Sequence, residues 1–415
     1  MKFGILSDFF EGVGAKYLTE VEINKLRSNQ HEFQGVSSFR RFLGKSAEKI
    51  RFPSTFHWLD DEEDREPASS NSFCTWSDVR RNNPARSAEY HLYYSAESEA
   101  IVHRAKVGDL LVIAKTREQN LHVMLCPANT TIARQLLWLF GLDLMGRRVE
   151  AKILGTDEGI HLGYSVRAIL DGFGIELEAP KPPDALGELI ARYGDGFPGT
   201  AEFSGFARDT LPDVDPVGAP DETLAAWMDH EEVLFRHLER YIIADQIRKN
   251  FVDIPDVDDF LRFSLSIQNR RKSRAGWAFG HHVEAILKVQ DVLYTREATT
   301  EKRRGPDFLF LGEKQYHDPD FDAGLLTMLG VKTSCKDRWR QVLTEANKIE
   351  EKHLLTMQPG ISEAQTDEMQ AERLQLVVPS VIFSSYNPAQ QKWLMNVKDF
   401  VELVKERQRL GGDHS

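Results

Sequence analysis

The sequence predicts an α/β fold for its C-terminal half, a mixed central sheet flanked by helices, preceded by a separate strand-rich, mixed α+β N-terminal domain. Three observations carry this. Short apolar runs set between turn residues crowd the first 177 residues. From Glu222 the apolar positions Leu234, Leu238, Tyr241, Ile242 and Ile247 recur near helical spacing. Beyond these, apolar strands at Phe308 to Leu311 and Leu329 to Thr333 alternate with helical stretches, the order of an α/β domain.

Taken in order, the strands of the first domain include His91 to Tyr94, Asp109 to Ala114 and Leu121 to Leu125, with a helix at Thr131 to Phe140. Arg80, Arg81, Arg86 and Lys115 lie among Trp76, Tyr90, Tyr93 and Tyr94. That interleaving suits phosphate contact and base stacking, and equally a solvated basic face over an aromatic core. Asp60 to Asn71, acidic and then small and polar, reads as a surface loop. The prolines of Glu178 to Asp184 can extend neither a helix nor a central strand, so they mark a linker. The domains are then 1–177, a linker 178–184, and 185–415. In the second domain, Leu211 to Asp221 is a Pro- and Asp-rich loop, and helices are expected at Val257 to Ile267 and Phe279 to Val289. A helix from Lys336 to Lys352, a strand at Leu374 to Val378 and a helix at Gln390 to Glu406 complete it.

The chain has 415 residues, room for two or three domains. With 64 acidic against 52 basic residues, its net charge of −12 argues against a protein that coats nucleic acid by bulk electrostatics. A sequence-specific enzyme needs only local basic surface, which Arg270, Arg271, Lys272 and Arg274 supply, as do Lys336, Arg338 and Arg340. Cys74, Cys126 and Cys335 have neither metal-ligand nor disulfide spacing, which fits a reduced cytoplasm. The first residues lack a signal peptide's apolar core, and Leu136 to Met145 is too short to span a bilayer, so no membrane association is expected.

Chemistry concentrates between Pro306 and Lys348. Asp307 stands at the mouth of one apolar strand, Lys332 lies within a second, and Glu345 follows. Carboxylates give Mg²⁺ the hard oxygen ligands it needs, and a lysine beside them orients or helps deprotonate an attacking water. This is the layout of a metal-dependent nuclease. The second carboxylate of such a site usually stands two residues before the lysine, where strand alternation aims both at one face, but here that residue is Gly330. Glu345, on the inner face of the expected helix, is the replacement. A Pro-Asp pair before an apolar run and a later lysine also occurs in many unrelated proteins.

Several blocks in order go further: Ile267 to Gly276, Pro306 to Phe310, Tyr316 to Asp318, Val331 to Gln341 and Leu376 to Pro379. Through them the chain, from near Asp184 to near Val404, resembles the catalytic domain of the EcoRII-type type II restriction endonucleases. The resemblance implies a restriction-endonuclease-like PD-(D/E)xK core and Mg²⁺-dependent, sequence-specific cleavage of double-stranded DNA at a short palindromic or nearly palindromic site containing C·G pairs. It also implies a homodimer, a cognate DNA methyltransferase, and an N-terminal domain that binds effector DNA and regulates cleavage. Asp307, Lys332 and Glu345 match the family's catalytic aspartate, lysine and glutamate, Asp307 and Glu345 holding the metal. Glu284 corresponds to an additional acidic residue, while Gly280 replaces a further glutamate. Lys336, Asp337 and Arg338 are similar to the family's reader of C·G pairs, and cations that donate to guanine beside a carboxylate that accepts from cytosine suit that task. Without the resemblance the same trio reads as a helix N-terminus with Asp337 on the dipole. Arg270, Arg271, Lys272 and Arg274 are assigned to the DNA backbone. Tyr316 is a further candidate, and Trp277 and Tyr316 are candidate stacking partners for an extruded base. Two other classes compete: a repair or mobile-element nuclease with the same core, disfavoured by base readers so near Lys332, and an inactive DNA-binding protein, disfavoured by the presence of all three catalytic residues.

Overall fold

The computed structural model describes residues 5–23, 31–46, 48–61, 68–83, 85–144, 148–155, 162–175, 185–194, 196–250, 257–301, 305–335 and 338–412. The chain forms two compact units, Met1–Leu177 with Gly360–Glu363, and Glu178–Pro359 with Ala364–Ser415.

The first unit is built on an eight-stranded sheet. Its strands are β1 (Phe10–Tyr17), β2 (Glu32–Phe33), β3 (Ile50–Trp58), β4 (Ala68–Asp78), β5 (Tyr90–Tyr94), β6 (Leu110–Thr116), β7 (Leu121–Cys126) and β8 (Val149–Ile153), in the order β2-β5-β4-β3-β7-β6-β1-β8. Only β3 and β7 pair in parallel; the rest are antiparallel. Short helices α1 (Glu20–Ile23), α2 (Arg40–Leu43) and α3 (Glu99–Val102) and the longer α4 (Thr131–Phe140) and α5 (Tyr164–Gly172) accompany the sheet. Both faces are apolar. Strand alternation sends Leu110, Val112 and Ala114 of β6 into the core with α4 and α5, and Leu111 and Ile113 into a second core with Phe39 and Phe42. The Phe39 ring lies where a Cβ on Gly14 would come within 2.3 Å, so β1 needs glycine there. The aromatics expected at a nucleic-acid surface belong mostly to this core. Trp76, Tyr90 and Tyr94 are buried, and Trp76 stacks on Tyr90 with centroids 5.0 Å apart. Lys115 is buried too, donating to the Phe42 carbonyl at 3.0 Å. Of the four cations, Arg81 and Arg86 are exposed and Arg80 is half-buried.

The second unit is α/β. Helices α6 (Leu186–Tyr193), α7 (Thr200–Asp209), α8 (Pro220–Asn250) and α9 (Val257–Val289) precede strands β9 (Tyr294–Arg296), β10 (Phe308–Phe310) and β11 (Thr327–Lys332), with α10 (Glu313–His317) between the last two. Then come α11 (Trp339–Val342), β12 (Lys352–Thr356), α12 (Glu363–Ala371), β13 (Leu374–Val377), α13 (Pro388–Trp393) and α14 (Val397–Gly412). The sheet order is β13-β12-β11-β10-β9, mixed as expected: β9, β10 and β11 pair antiparallel, and β11, β12 and β13 pair in parallel. The central strands are buried on both faces, as parallel neighbours covered by helices must be. Buried Asp221 at the start of α8 accepts from the amides of Ser380, Val397 and Lys398 at 2.9, 2.9 and 3.0 Å, tying α8 to the start of α14. Among the described residues no helix is long and apolar enough to cross a membrane.

Four expected elements differ. The surface loop expected from Asp60 to Asn71 gives way to strand at Ala68, because Ala68 to Asn71 pair with Thr55 to Trp58 of β3 as the start of β4. The helical stretches around Ile267 and Phe279 are one continuous helix, α9. The helix expected from Gln390 to Glu406 breaks, because Met395 pairs with the sheet edge, its amide donating to the Leu376 carbonyl at 3.1 Å, before Asn396 caps α14. The helix expected from Lys336 to Lys352 is reduced to α11; its remainder is a loop leading into β12.

Candidate active site

The ends of β10 and β11 bring the first two candidates together. Phe308 pairs with Leu329 and Leu309 with Met328, so Asp307, one residue before β10, lies beside the end of β11. Asp307 Oδ2 accepts from the Val331 amide at 2.6 Å and from Lys332 Nζ at 2.9 Å. The backbone bond fixes the carboxylate, and the ammonium lies against it. Both side chains remain open to solvent, 38% for Asp307 and 20% for Lys332, while the residues flanking them in the strands are buried. A charged acid–lysine pair at the solvent edge of an apolar sheet is stabilised little by its own attraction.

Glu345 lies in the loop after α11. Trp339, Val342, Ala346 and Ile349 are buried, and their spacing imitates a helix, but the chain leaves helical geometry and Ala346 takes φ 46°, a conformation rare for L residues. Buried Lys352, first residue of β12, explains how that path is held. Its Nζ donates to the carbonyls of Glu345, Ala346 and Ile349 at 2.7, 3.1 and 2.9 Å, taking over bonds that helix amides would have made. Burial lowers the Lys352 pKa, opposed by the charges of Glu301 and Glu345. Glu301 holds the same loop from the other side, accepting from the Asn347 amide at 3.1 Å and from the Tyr316 hydroxyl at 2.7 and 2.8 Å. Tyr316 is 1% exposed, and burial foremost, then Glu301, pushes its pKa up. It is thus a buried strut, and stacking on an extruded base is not open to it; Trp277, 48% exposed, keeps an open face.

At Gly330, two residues before Lys332, a Cβ would lie 2.9 Å from Val342 Cγ2 and 3.6 Å from Leu354. Position 330 therefore faces α11 and cannot carry a carboxylate while α11 packs there.

Glu284 on α9 is bound by Tyr294 at 2.9 Å, Arg296 at 2.5 Å and Lys288 at 3.0 Å. Burial raises its pKa, but the bonds from Lys288 and Tyr294 and the charge of Arg296 outweigh this and hold it low. A Cβ at Gly280 would stand 3.2 Å from Arg296 Nη2, so that turn of α9 packs on the same arginine. The basic block divides. Arg274 is buried, donating to Glu231 at 3.0 Å and to Glu232, and Arg271 donates to Glu239 at 2.7 Å; both tie α9 to α8. Arg270 lies over the Phe197 ring at 4.1 Å, and Lys272 is exposed. Lys336 and Asp337 lie outside the described residues; Arg338, next to them, is exposed at the start of α11.

Sequence reasoning missed Lys352 and Glu301. A lysine opening an apolar run, Lys352 to Thr356, was the one signal available for the first; Glu301 had none. Among the described residues no group of three or more His, Cys, Asp or Glu side chains is placed to hold a metal ion. The donor chemistry is nonetheless that of a hard cation: Mg²⁺ commonly takes one or two carboxylates, with water and substrate phosphate completing its shell.

An acid–lysine pair thus stands at the end of a mixed five-stranded sheet, and residues 235–401, which contain it, match the family model described as EcoRII C terminal. The chain is similar to the Type II restriction enzyme EcoRII of Escherichia coli, 42% identical over 183 residues, which is 44% of this chain. The matched stretch spans 45% of that enzyme's length. Among solved structures, metal-depleted Ecl18kI in complex with uncleaved, modified DNA is similar at 16% identity and TM-score 0.43, over 55% of this chain and 85% of that one. The restriction endonuclease PspGI–substrate DNA complex is similar at 13% identity and TM-score 0.44, over 52% and 94%.

Proposed function

We propose that the chain is a type II restriction endonuclease, hydrolysing phosphodiester bonds of double-stranded DNA with Mg²⁺ at a short, palindromic or nearly palindromic site containing C·G pairs. The observation that carries this reading is the contact of Asp307 with Lys332 at the joined ends of β10 and β11, inside residues 235–401, which match the family model described as EcoRII C terminal. In this reading residues 185–415 are the catalytic domain with a PD-(D/E)xK core, 178–184 the linker, and 1–177 a DNA-binding domain that restrains cleavage until effector DNA is bound.

Asp307 and Glu345 would hold the metal, which when bound supplies Lewis-acid polarisation of the scissile phosphate and a more acidic water. Lys332 Nζ, held by Asp307, points its remaining donors at the phosphate and the attacking water. Glu284 is the additional acidic residue counted with the catalytic ones, held in place by Tyr294 and Arg296 at the start of β9. Arg338, with Lys336 and Asp337, reads C·G pairs, and exposed Lys272 with Arg270 contacts the backbone. The homodimer gives one active site per strand. A cognate methyltransferase would protect the host's own sites, and the enzyme would work in the cytoplasm. Sequencing the ends of genomic DNA after incubation with and without Mg²⁺ tests the cleavage, its site specificity and its metal dependence. Ends that share one short motif, formed only with metal, are expected; random ends or none exclude the reading.

A further inference from the structure

Strands β11 and β12 run side by side in parallel, and their ladder ends where Lys332 stands opposite Thr356. Past that point one chain leads to Arg338 and the other to Gln358, and a side chain takes over from the ladder. Gln358 Oε1 accepts from the Cys335 amide at 2.5 Å. A backbone N–H can only donate, which fixes the carboxamide with its oxygen toward Cys335. The Cys335 peptide is used at both ends, because the Cys335 carbonyl accepts from the Arg338 amide at 2.7 Å and from the Trp339 amide at 3.3 Å. The start of α11, with Arg338 exposed on it, therefore hangs from the residue that Gln358 grips.

Gln358 is itself held. Its amide donates to Thr356 Oγ1 at 3.1 Å, and its carbonyl accepts from the hydroxyl of buried Tyr386 at 2.6 Å. The residue is 8% exposed. A polar side chain taken out of water costs free energy unless it is hydrogen-bonded, and an apolar one would fill the same space, so the carboxamide is explained by its bond to Cys335.

We propose that Gln358 is a positioning residue for sequence discrimination: through Cys335 it holds Arg338 in register with the C·G pairs that Lys336, Asp337 and Arg338 read. Reading a base edge by paired hydrogen bonds needs side chains placed within about 0.5 Å. A segment anchored by one buried carboxamide loses that placement when the acceptor is removed. The proposal rests on the nuclease reading for the base pairs, and on the hydrogen bonds alone for the clamp.

The test compares the full chain with three variants: Gln358→Met, which fills the space without an acceptor, Gln358→Glu, which keeps an acceptor oxygen there, and Tyr386→Phe, which releases the Gln358 carbonyl. Hydrogen exchange at the Cys335 amide is measured without DNA. The ends in Mg²⁺ digests of genomic DNA are counted at the wild-type motif and at sequences one base pair removed from it. In Gln358→Met, exchange at Cys335 should quicken, and the share of ends at sites altered at a C·G pair should rise about tenfold, within what one bidentate contact is worth. Gln358→Glu should keep the wild-type ratio, and Tyr386→Phe should shift it as Gln358→Met does, but less. A lesion that is only structural lowers cleavage at all sites together and leaves the ratio alone. That result in both Gln358→Met and Tyr386→Phe overturns the proposal, as does a Gln358→Glu ratio relaxed as far as that of Gln358→Met. If Gln358→Met does not fold, Tyr386→Phe decides alone. Wild-type ends that share no motif overturn the nuclease reading, and exchange at Cys335 then still decides whether Gln358 is the clamp.

Discussion

Replacing Lys352 by methionine removes a cation that no part of the sheet needs but the Glu345 loop does. Its Nζ is the shared donor for three loop carbonyls at 2.7, 3.1 and 2.9 Å. A buried acceptor left without its donor costs about 1–3 kcal/mol, and here three carbonyls share the one donor. Against this, burial already lowers the Lys352 pKa, so part of the gain is spent on desolvation, and methionine fills the same space. The balance is a loss of about 3 kcal/mol, roughly 150-fold in local opening. Native-state hydrogen exchange at the amides of β11 and β12 reads it, and plasmid nicking should fall with it because the loop carries Glu345. Lys352→Arg, which keeps the charge and the donors, should recover part of both. Unchanged exchange in Lys352→Met would refute the argument that the ammonium holds the loop.

Other outcomes follow from the same geometry. Asp307→Ala and Lys332→Ala should each abolish cleavage while specific binding survives in a Ca²⁺ gel shift; cleavage within tenfold of wild type would remove the assignment. A fragment beginning near Asp184 keeps the five-stranded sheet and its helices and should cut a one-site plasmid faster than the full chain, at the same positions; a folded fragment that binds but does not cut would show that the first unit completes the enzyme. His353, buried in β12 against Phe400, has its pKa driven down to about 3 by burial and then by Arg407. Below about pH 6.5 the unfolded chain takes up a proton that the folded chain refuses, so stability falls with pH from there toward the folded value. His353→Leu should flatten urea stability against pH in that window by up to one proton's slope, and an unaltered slope would mean that the ring is not the group responsible.

Much of the second unit was legible because its strands are continuous apolar runs. Phe308 to Leu311 and Leu374 to Val378 differ from β10 and β13 only at one end, and α4 begins and ends where the sequence put it. The site was legible where neighbouring strands deliver residues, as with Asp307 and Lys332. It was not legible where the chain leaves regular structure, since Trp339, Val342, Ala346 and Ile349 have helical spacing and only a lysine from another element reveals the loop. The basic block illustrates the same limit: four cations in five residues look like one surface, but Glu231, Glu232 and Glu239, more than thirty residues earlier, draw two of them into helix packing.

The missing side chain at Gly330 constrains how such a site can change. With Val342 of α11 within 2.9 Å of where a Cβ would stand, a carboxylate cannot return to position 330 unless α11 moves, and α11 leads directly to the loop bearing Glu345. A side chain at 330 and the present packing of Val342 compete for the same space, so Gly330→Glu is expected to displace α11 and with it the loop bearing Glu345, and a smaller residue at 342 should relieve that displacement.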